Sequence, residues 1–211
     1  MESIVIKVEP IILCPPCIKR TGHQFDCRKC SNRENCWEQE QPRAMCVKPY
    51  PGHPNGCPNF GKKDECPPKI PSMYDWIFDT SDVYAVITEF DLLKWYDYRR
   101  KRKPYLPEGQ IKNKMYWQNK IKAQNRKDVI EFYQNNPDKK DYVATDYLEC
   151  MGVHLVRTLK ENGVNLEFPV KDVSRRISCI AKAYEEAVIK YGFYVEKKDG
   201  VKTLKRIKQD N

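Results

Sequence analysis

The sequence predicts an α+β protein: a small sheet with several helices, joined to an irregular, cysteine- and proline-rich segment that binds metal. Three observations carry this. Short β-branched runs, Ser3–Val8 and Val83–Thr88, have the composition of strands. Apolar residues recur at helical spacing in the second half of the chain. Eight of the ten cysteines lie between Cys14 and Cys66, together with eleven of the fifteen prolines between Pro10 and Pro71. A stretch with so few apolar residues cannot pack a core by itself, and metal–thiolate bonds would supply the missing folding energy. The expected organisation is therefore a cysteine-rich metal-binding segment over residues 1–71 and an α+β domain over residues 72–211.

Taken in order, Ser3–Val8 is a strand and Val83–Thr88 a buried strand. Glu89–Lys103 reads as a helix ended by Pro104, with Arg99 to Lys103 at its C-terminal end, where the helix dipole favours cations. A second helix follows Pro107 with Ile111 and Met115 on its apolar side, then a short apolar cluster of Val129, Ile130, Phe132 and Tyr133. Leu148, Met151, Leu155 and Leu159 predict a helix over Asp146–Asn162, with Gly163 as its C-cap. Val173, Ile177, Ile180, Tyr184, Ala187, Val188 and Tyr191 form the cleanest helical period and predict a fourth helix, ended by Gly192. Asp199-Gly200 between Phe193-Tyr194-Val195 and Val201–Leu204 is a hairpin signal.

At 211 residues and 40% apolar composition the chain has the makings of a soluble globular protein, and no run approaches a membrane span. The start, Met1-Glu2-Ser3-Ile4, lacks the basic and apolar regions of a secretory signal, so a cytoplasmic setting is expected. Thiols stay reduced there, and clustered cysteines bind metal more often than they form disulfides. The alternative for such a cluster is a disulfide framework.

The candidate ligands are Cys14, Cys17, Cys27, Cys30, Cys36, Cys46, Cys57 and Cys66. Cys14-x2-Cys17 and Cys27-x2-Cys30, separated by nine residues, have the spacing of a four-thiolate zinc ribbon, because a tight turn aims both sulfurs of each pair inward. Cys36, Cys46, Cys57 and Cys66 make a second quartet. Proline after Cys66 points towards iron–sulfur chemistry, since cysteine-proline recurs at cluster ligands. His23 and His53 lie among the thiols and are weaker ligand candidates. Cys150 and Cys179 fall in the predicted helices and read as buried packing residues.

The stretch Cys57-Pro-Asn-Phe-Gly-Lys-Lys-Asp-Glu-Cys66-Pro-Pro resembles the C-P-N-Y-G-K-x-x-x-C-P-P motif of a cysteine-rich prokaryotic family of predicted metal-binding proteins. The resemblance returns at Leu148-Glu149-Cys150-Met151-Gly152-Val153-His154-Leu155, which is similar to M-E-A-x-G-I-D-V, and at Asn165–Val170, similar to I-E-F-P-V. It covers about half the chain in two blocks. It implies a bound iron–sulfur cluster of the 4Fe-4S type, with Cys57 and Cys66 among its ligands. Three departures stand out. The group Cys27-x2-Cys30-x5-Cys36 precedes the proline-rich block here instead of following it, His154 stands where the family has aspartate, and residues 104–145 have no counterpart in the family pattern.

The net charge of +9 is concentrated in the middle of the chain: residues 89–127 carry 12 basic and 4 acidic side chains. Arg99, Arg100, Lys101, Arg102 and Lys103, with Trp117 nearby, combine cations with aromatics in the manner of a single-strand nucleic-acid interface. The plain alternative is a solvated helix face with Trp117 in the core. No Walker loop, G-x-G-x-x-G, H-E-x-x-H or G-x-S-x-G motif is present. Two functional classes emerge. One is an iron–sulfur protein with a redox, sulfur-transfer or substrate-activating role and a redox protein partner. The other is a zinc-stabilised protein that binds nucleic acid.

Overall fold

A computed structural model describes residues 1–9, 41–70, 72–77, 82–166, 170–183 and 193–206. Among the described residues, strand β1 (Glu2–Val8) is followed by two short helices, α1 (Pro42–Met45) and α2 (Met73–Trp76). Then come β2 (Val83–Asp91), α3 (Leu92–Arg102), α4 (Glu108–Ile111), a 3-10 turn (Lys114–Tyr116) and the long helix α5 (Gln118–Asn135). The chain continues through β3 (Val143–Thr145), α6 (Leu155–Glu161), β4 (Val173–Ala181), β5 (Phe193–Lys198) and β6 (Val201–Arg206). The six strands form one mixed sheet in the order β1-β2-β4-β3-β6-β5. The protein is α+β, as the sequence predicts.

Strands β2 and β4 pair antiparallel over their full lengths, from Val83↔Ala181 to Asp91↔Val173. They are the centre of the sheet, and alternate residues on each go to opposite faces. On one face Val83, Ala85 and Ile87 of β2 join Ile177, Cys179 and Ala181 of β4, covered by Ile70, Met73, Met151 and Leu159. On the other, Val86 and Ile180 pack beneath Val129, Phe132 and Tyr133 of α5. Burial on both sides explains the one large departure from the sequence-based expectation. Residues 173–181 form the innermost strand and not the first half of a helix. A strand buried on both faces loses its polar alternation, and Ile177-Ser-Cys-Ile-Ala181 then fits either period. The rest of that expected helix, Tyr184 to Tyr191, lies outside the described residues.

Other elements shift in smaller ways. Helix α3 begins where Asp91 caps it, its carboxylate accepting from the Lys94 amide at 2.9 Å. After Pro107 the single expected helix is broken into α4, the 3-10 turn and α5: Ile111 is buried, whereas Met115 is 75% exposed. Helix α6 is shorter than expected because Tyr147 to Val153 forms successive turns, with Gly152 at φ +89°. Gly163 does follow the helix at φ +82°. Asp199 and Gly200, both at positive φ, make the β5–β6 turn.

A buried polar knot fastens α5 to the sheet. The Asn125 amide donates to Thr88 Oγ1 at 3.0 Å and to the Val86 and Arg176 carbonyls at 3.3 Å, and accepts from Ser178 Oγ at 2.6 Å. Thr88 in turn donates to Asp128. Both central strands are thereby tied to one helical turn. Removing the amide would strand several of these groups without water. Asn125→Ala is expected to lower unfolding stability by about 2–3 kcal/mol, and Met115→Ala to change it by less than about 0.5 kcal/mol. Urea denaturation of both variants checks this.

Candidate metal centre

Residues 41–70 have almost no regular structure; turns and prolines hold their thiols in place. Cys46 caps α1, which starts at Pro42. The chain then loops out through Tyr50 and His53, whose amides and carbonyls pair with each other, and returns so that the Cys57 amide donates to the Cys46 carbonyl at 2.8 Å. That close return requires Gly56. It has φ +79°, and a Cβ there would lie 2.7 Å from the Cys46 oxygen and 2.8 Å from the Val47 backbone. Phe60 and Val47 pack together against Cys46 beneath the loop. Further turns then carry the chain from Cys57 to Cys66. Phe60 N–H donates to the Cys57 carbonyl, Gly61 N–H to the Pro67 carbonyl at 2.8 Å, and Cys66 N–H to the Lys63 carbonyl.

This segment is anchored on the sheet by Ile70 and Met73, both fully buried. Buried Arg43 of α1 donates to the Ile70 carbonyl at 3.3 Å. The Met73 amide donates to the Met151 carbonyl at 2.9 Å, which sets the thiol-bearing loop against the turns at 147–153. The outcome is a fourth sulfur. Cys150, which the sequence places in a helix as a packing residue, sits in a turn, close enough to Cys66 for the two thiols to act on one another.

Four thiols from three parts of the chain thus feel one another. Burial, and then the neighbouring Cys57 and Cys66, push the Cys46 thiol up to about 11. Burial, followed by Cys66 and Cys46, pushes Cys150 up to about 12. Cys66 is also raised, by burial first and Cys57 next. These are the signs of like charges held close in a poorly solvated place. Arg43 and Lys63 act in the opposite sense on Cys46 and Cys66 respectively. Among the described residues no three His, Cys, Asp or Glu side chains already stand in an arrangement that holds a metal ion. Bringing Cys46, Cys57, Cys66 and Cys150 onto one centre therefore takes side-chain rotation and the loss of their protons. A four-thiolate donor set suits zinc and iron–sulfur clusters alike.

The other sequence candidates divide. Cys14, Cys17, Cys27, Cys30, Cys36 and His23 lie outside the described residues. His53 packs on Tyr50, ring centroids 4.7 Å apart. Cys179 is buried in β4 on the core face of the sheet. No feature of the sequence brings Cys150 to Cys66, 84 positions away, apart from its place in the second block of family resemblance. A cleft of about 330 Å³ opens between α5 and the β3-β6-β5 side of the sheet, on the face opposite the one where Ile70 and Met73 seat the thiol-bearing loop.

The five cations of α3 have different surroundings. Arg100 is taken up locally, paired with Glu108 and donating to the Leu106 carbonyl at 2.8 Å. Arg99 is buried under Tyr116, whereas Lys101, Arg102 and Lys103 are exposed. Trp117 stacks on Phe90 in a small cluster with Leu92 and Ile121.

Comparison with protein-family models, with curated proteins and with solved structures gives no match.

The role of Gly56 can be isolated from backbone strain in general. Gly52 also has positive φ, +80°, but nothing lies within 4 Å of its would-be Cβ. Gly52→Ala is expected to lose about 1–2 kcal/mol, the cost of the left-handed conformation alone. Gly56→Ala should lose clearly more than Gly52→Ala, because the added methyl also pushes against the Cys46–Val47 backbone. Thermal unfolding of the two variants side by side measures the difference.

Proposed function

We propose that this is an iron–sulfur protein whose cluster, of the 4Fe-4S type, is held by Cys46, Cys57, Cys66 and Cys150 and serves a redox, sulfur-transfer or substrate-activating role in a reducing, cytoplasmic setting. The placement of Cys46, Cys57 and Cys66 on one loop, seated by the Met73–Met151 backbone bond against the turns that carry Cys150, supports the reading most directly. Cysteine-proline at Cys66 and the resemblance of Cys57-x8-Cys66-Pro-Pro to the metal-binding family favour a cluster over zinc. Such a cluster supplies one-electron chemistry, and its potential depends on hydrogen bonds to its sulfurs and on burial. The chain's own contribution is to bring thiolates from separate segments together, to place Arg43 and Lys63 nearby against their negative charge, and to wall the site with the buried side chains of Val47, Phe60 and Ile70. The Cys14-x2-Cys17 and Cys27-x2-Cys30 pairs are assigned by their spacing to a second centre.

Anaerobic purification followed by iron, zinc and acid-labile sulfide analysis tests this. The expected protein is brown, with iron and sulfide in equal amounts. Cys57→Ser, Cys66→Ser and Cys150→Ser should each remove most of the iron and sulfide, while Cys179→Ser should leave them in place. Colourless protein that carries zinc and no iron would replace the cluster with the zinc-stabilised reading. Equal loss in the Cys179 variant would mean that the effect is on folding and not on ligation.

A further inference from the structure

The geometry points to a binding site for single-stranded nucleic acid on α3, where Tyr98 and Tyr116 offer ring faces for two bases and Arg99, Arg102 and Lys103 face the phosphates. It does not depend on which metal the thiols hold. The site is a shallow groove of about 250 Å³ lined by Trp95, Tyr98, Arg99, Arg102, Lys103 and Tyr116. Trp95, Tyr98, Arg99 and Arg102 share one side of the helix through their spacing of three and four residues.

The two tyrosines are prepared in the same way: each is backed on one side and about half exposed, 48% for Tyr98 and 51% for Tyr116. Trp95 stacks behind Tyr98, centroids 5.5 Å apart and planes 26° from parallel. The Arg102 guanidinium lies over the Tyr98 ring, 5.5 Å from its centroid, with Nη1 donating to the phenol oxygen at 2.5 Å; a base takes that face as the exposed arginine swings from the ring to a phosphate. The Arg99 guanidinium backs Tyr116, 3.7 Å from the ring centroid. A ring held from behind stacks on an incoming base with little further loss of freedom. Trp95 is itself fixed by Phe90, edge-on at 6.0 Å, and by Lys120 over its face at 5.2 Å.

A second, independent observation also indicates a ligand. Arg99 is 93% removed from solvent, and its Nη1 has no hydrogen-bond partner among the described residues. A buried guanidinium nitrogen without an acceptor is costly, and an anionic oxygen entering the groove would supply one. Exposed Arg102 and Lys103 add cations at the groove, whereas Arg100 is already engaged by Glu108. Planar faces beside cations match bases beside phosphates. An acidic peptide would satisfy the cations and leave both ring faces unused. Paired duplex bases are stacked on each other and cannot reach the tyrosines, so the occupant is a single strand.

Fluorescence anisotropy with labelled oligo-dT and oligo-rU of about twelve nucleotides tests the site, since a single-strand site of this kind spans roughly 4–16 nucleotides. The two oligonucleotides also show whether the strand is DNA or RNA. Wild-type protein should bind at low salt and prefer either single strand to a duplex of the same length. Tyr98→Ala and Tyr116→Ala should each weaken binding by about five- to a hundredfold, and Tyr116→Phe should restore it. Arg102→Ala combined with Lys103→Ala should flatten the log–log salt dependence by about 1.4, two phosphate contacts' worth on a single strand. Lys160→Ala, on the distant helix α6, should change nothing. Circular dichroism melting confirms that the tyrosine variants, altered at half-exposed positions, stay folded. Absence of binding at low salt overturns the proposal. So does equal affinity for duplex, indifference to both tyrosine changes in folded protein, or tighter binding of an oligoglutamate peptide than of the oligonucleotides.

Discussion

The thiol neighbourhood depends on one docking contact, the seating of Ile70 and Met73 on the sheet with the Met73 amide bonded to the Met151 carbonyl. On one side of it hang Cys46, Cys57 and Cys66, on a loop with hardly any secondary structure. On the other hangs Cys150, in the turns that follow β3. Ile70, Met73 and Met151 are all fully buried. Each such side chain is worth roughly 1.5–3 kcal/mol in burial, enough to position a loop that could not fold alone. The core thus does locally what metal alone does in a small zinc finger, and seats the segment from Cys46 to Ile70 on the sheet.

The same division of labour explains what the sequence shows and what it hides. Strands β1 and β2, helix α3 and the Asp199-Gly200 hairpin are legible because their signals are local: β-branched runs, a proline stop, a turn dipeptide. Strand β4 is not, because burial on both faces erases the alternation that separates strand from helix. The long helix α5 is obscured by the polar residues it buries. Asn125 and Asp128 look like surface positions until Thr88 and Ser178 are found opposite them. Among the cysteines, spacing reveals a cluster of thiols, but the nearness of Cys150 to Cys66 is a tertiary fact set by how the turn at 147–153 meets the loop.

The basic stretch makes a related point about charge. Five consecutive cations look uniform in the sequence, yet helical geometry and neighbours give them separate tasks: Arg100 ties α3 to α4 through Glu108, Arg99 supports Tyr116, and Arg102 lies against Tyr98. Trp117 looks like the stacking residue, but Phe90 and Ile121 pack around it, and the half-exposed rings are tyrosines. Net charge locates such a surface; only the placement of individual side chains shows which of them can meet a ligand.

The claim on which the functional reading rests is that Cys46, Cys57, Cys66 and Cys150 belong to one centre. Cysteine alkylation under anaerobic conditions, mapped by mass spectrometry before and after metal removal, addresses it residue by residue. If the four share a centre, they are protected together in the metal-loaded protein and become reactive together when the metal is stripped, while Cys179 stays unreactive in folded protein throughout. Alkylation of Cys150 in metal-loaded protein that still protects Cys57 and Cys66 would contradict a shared centre.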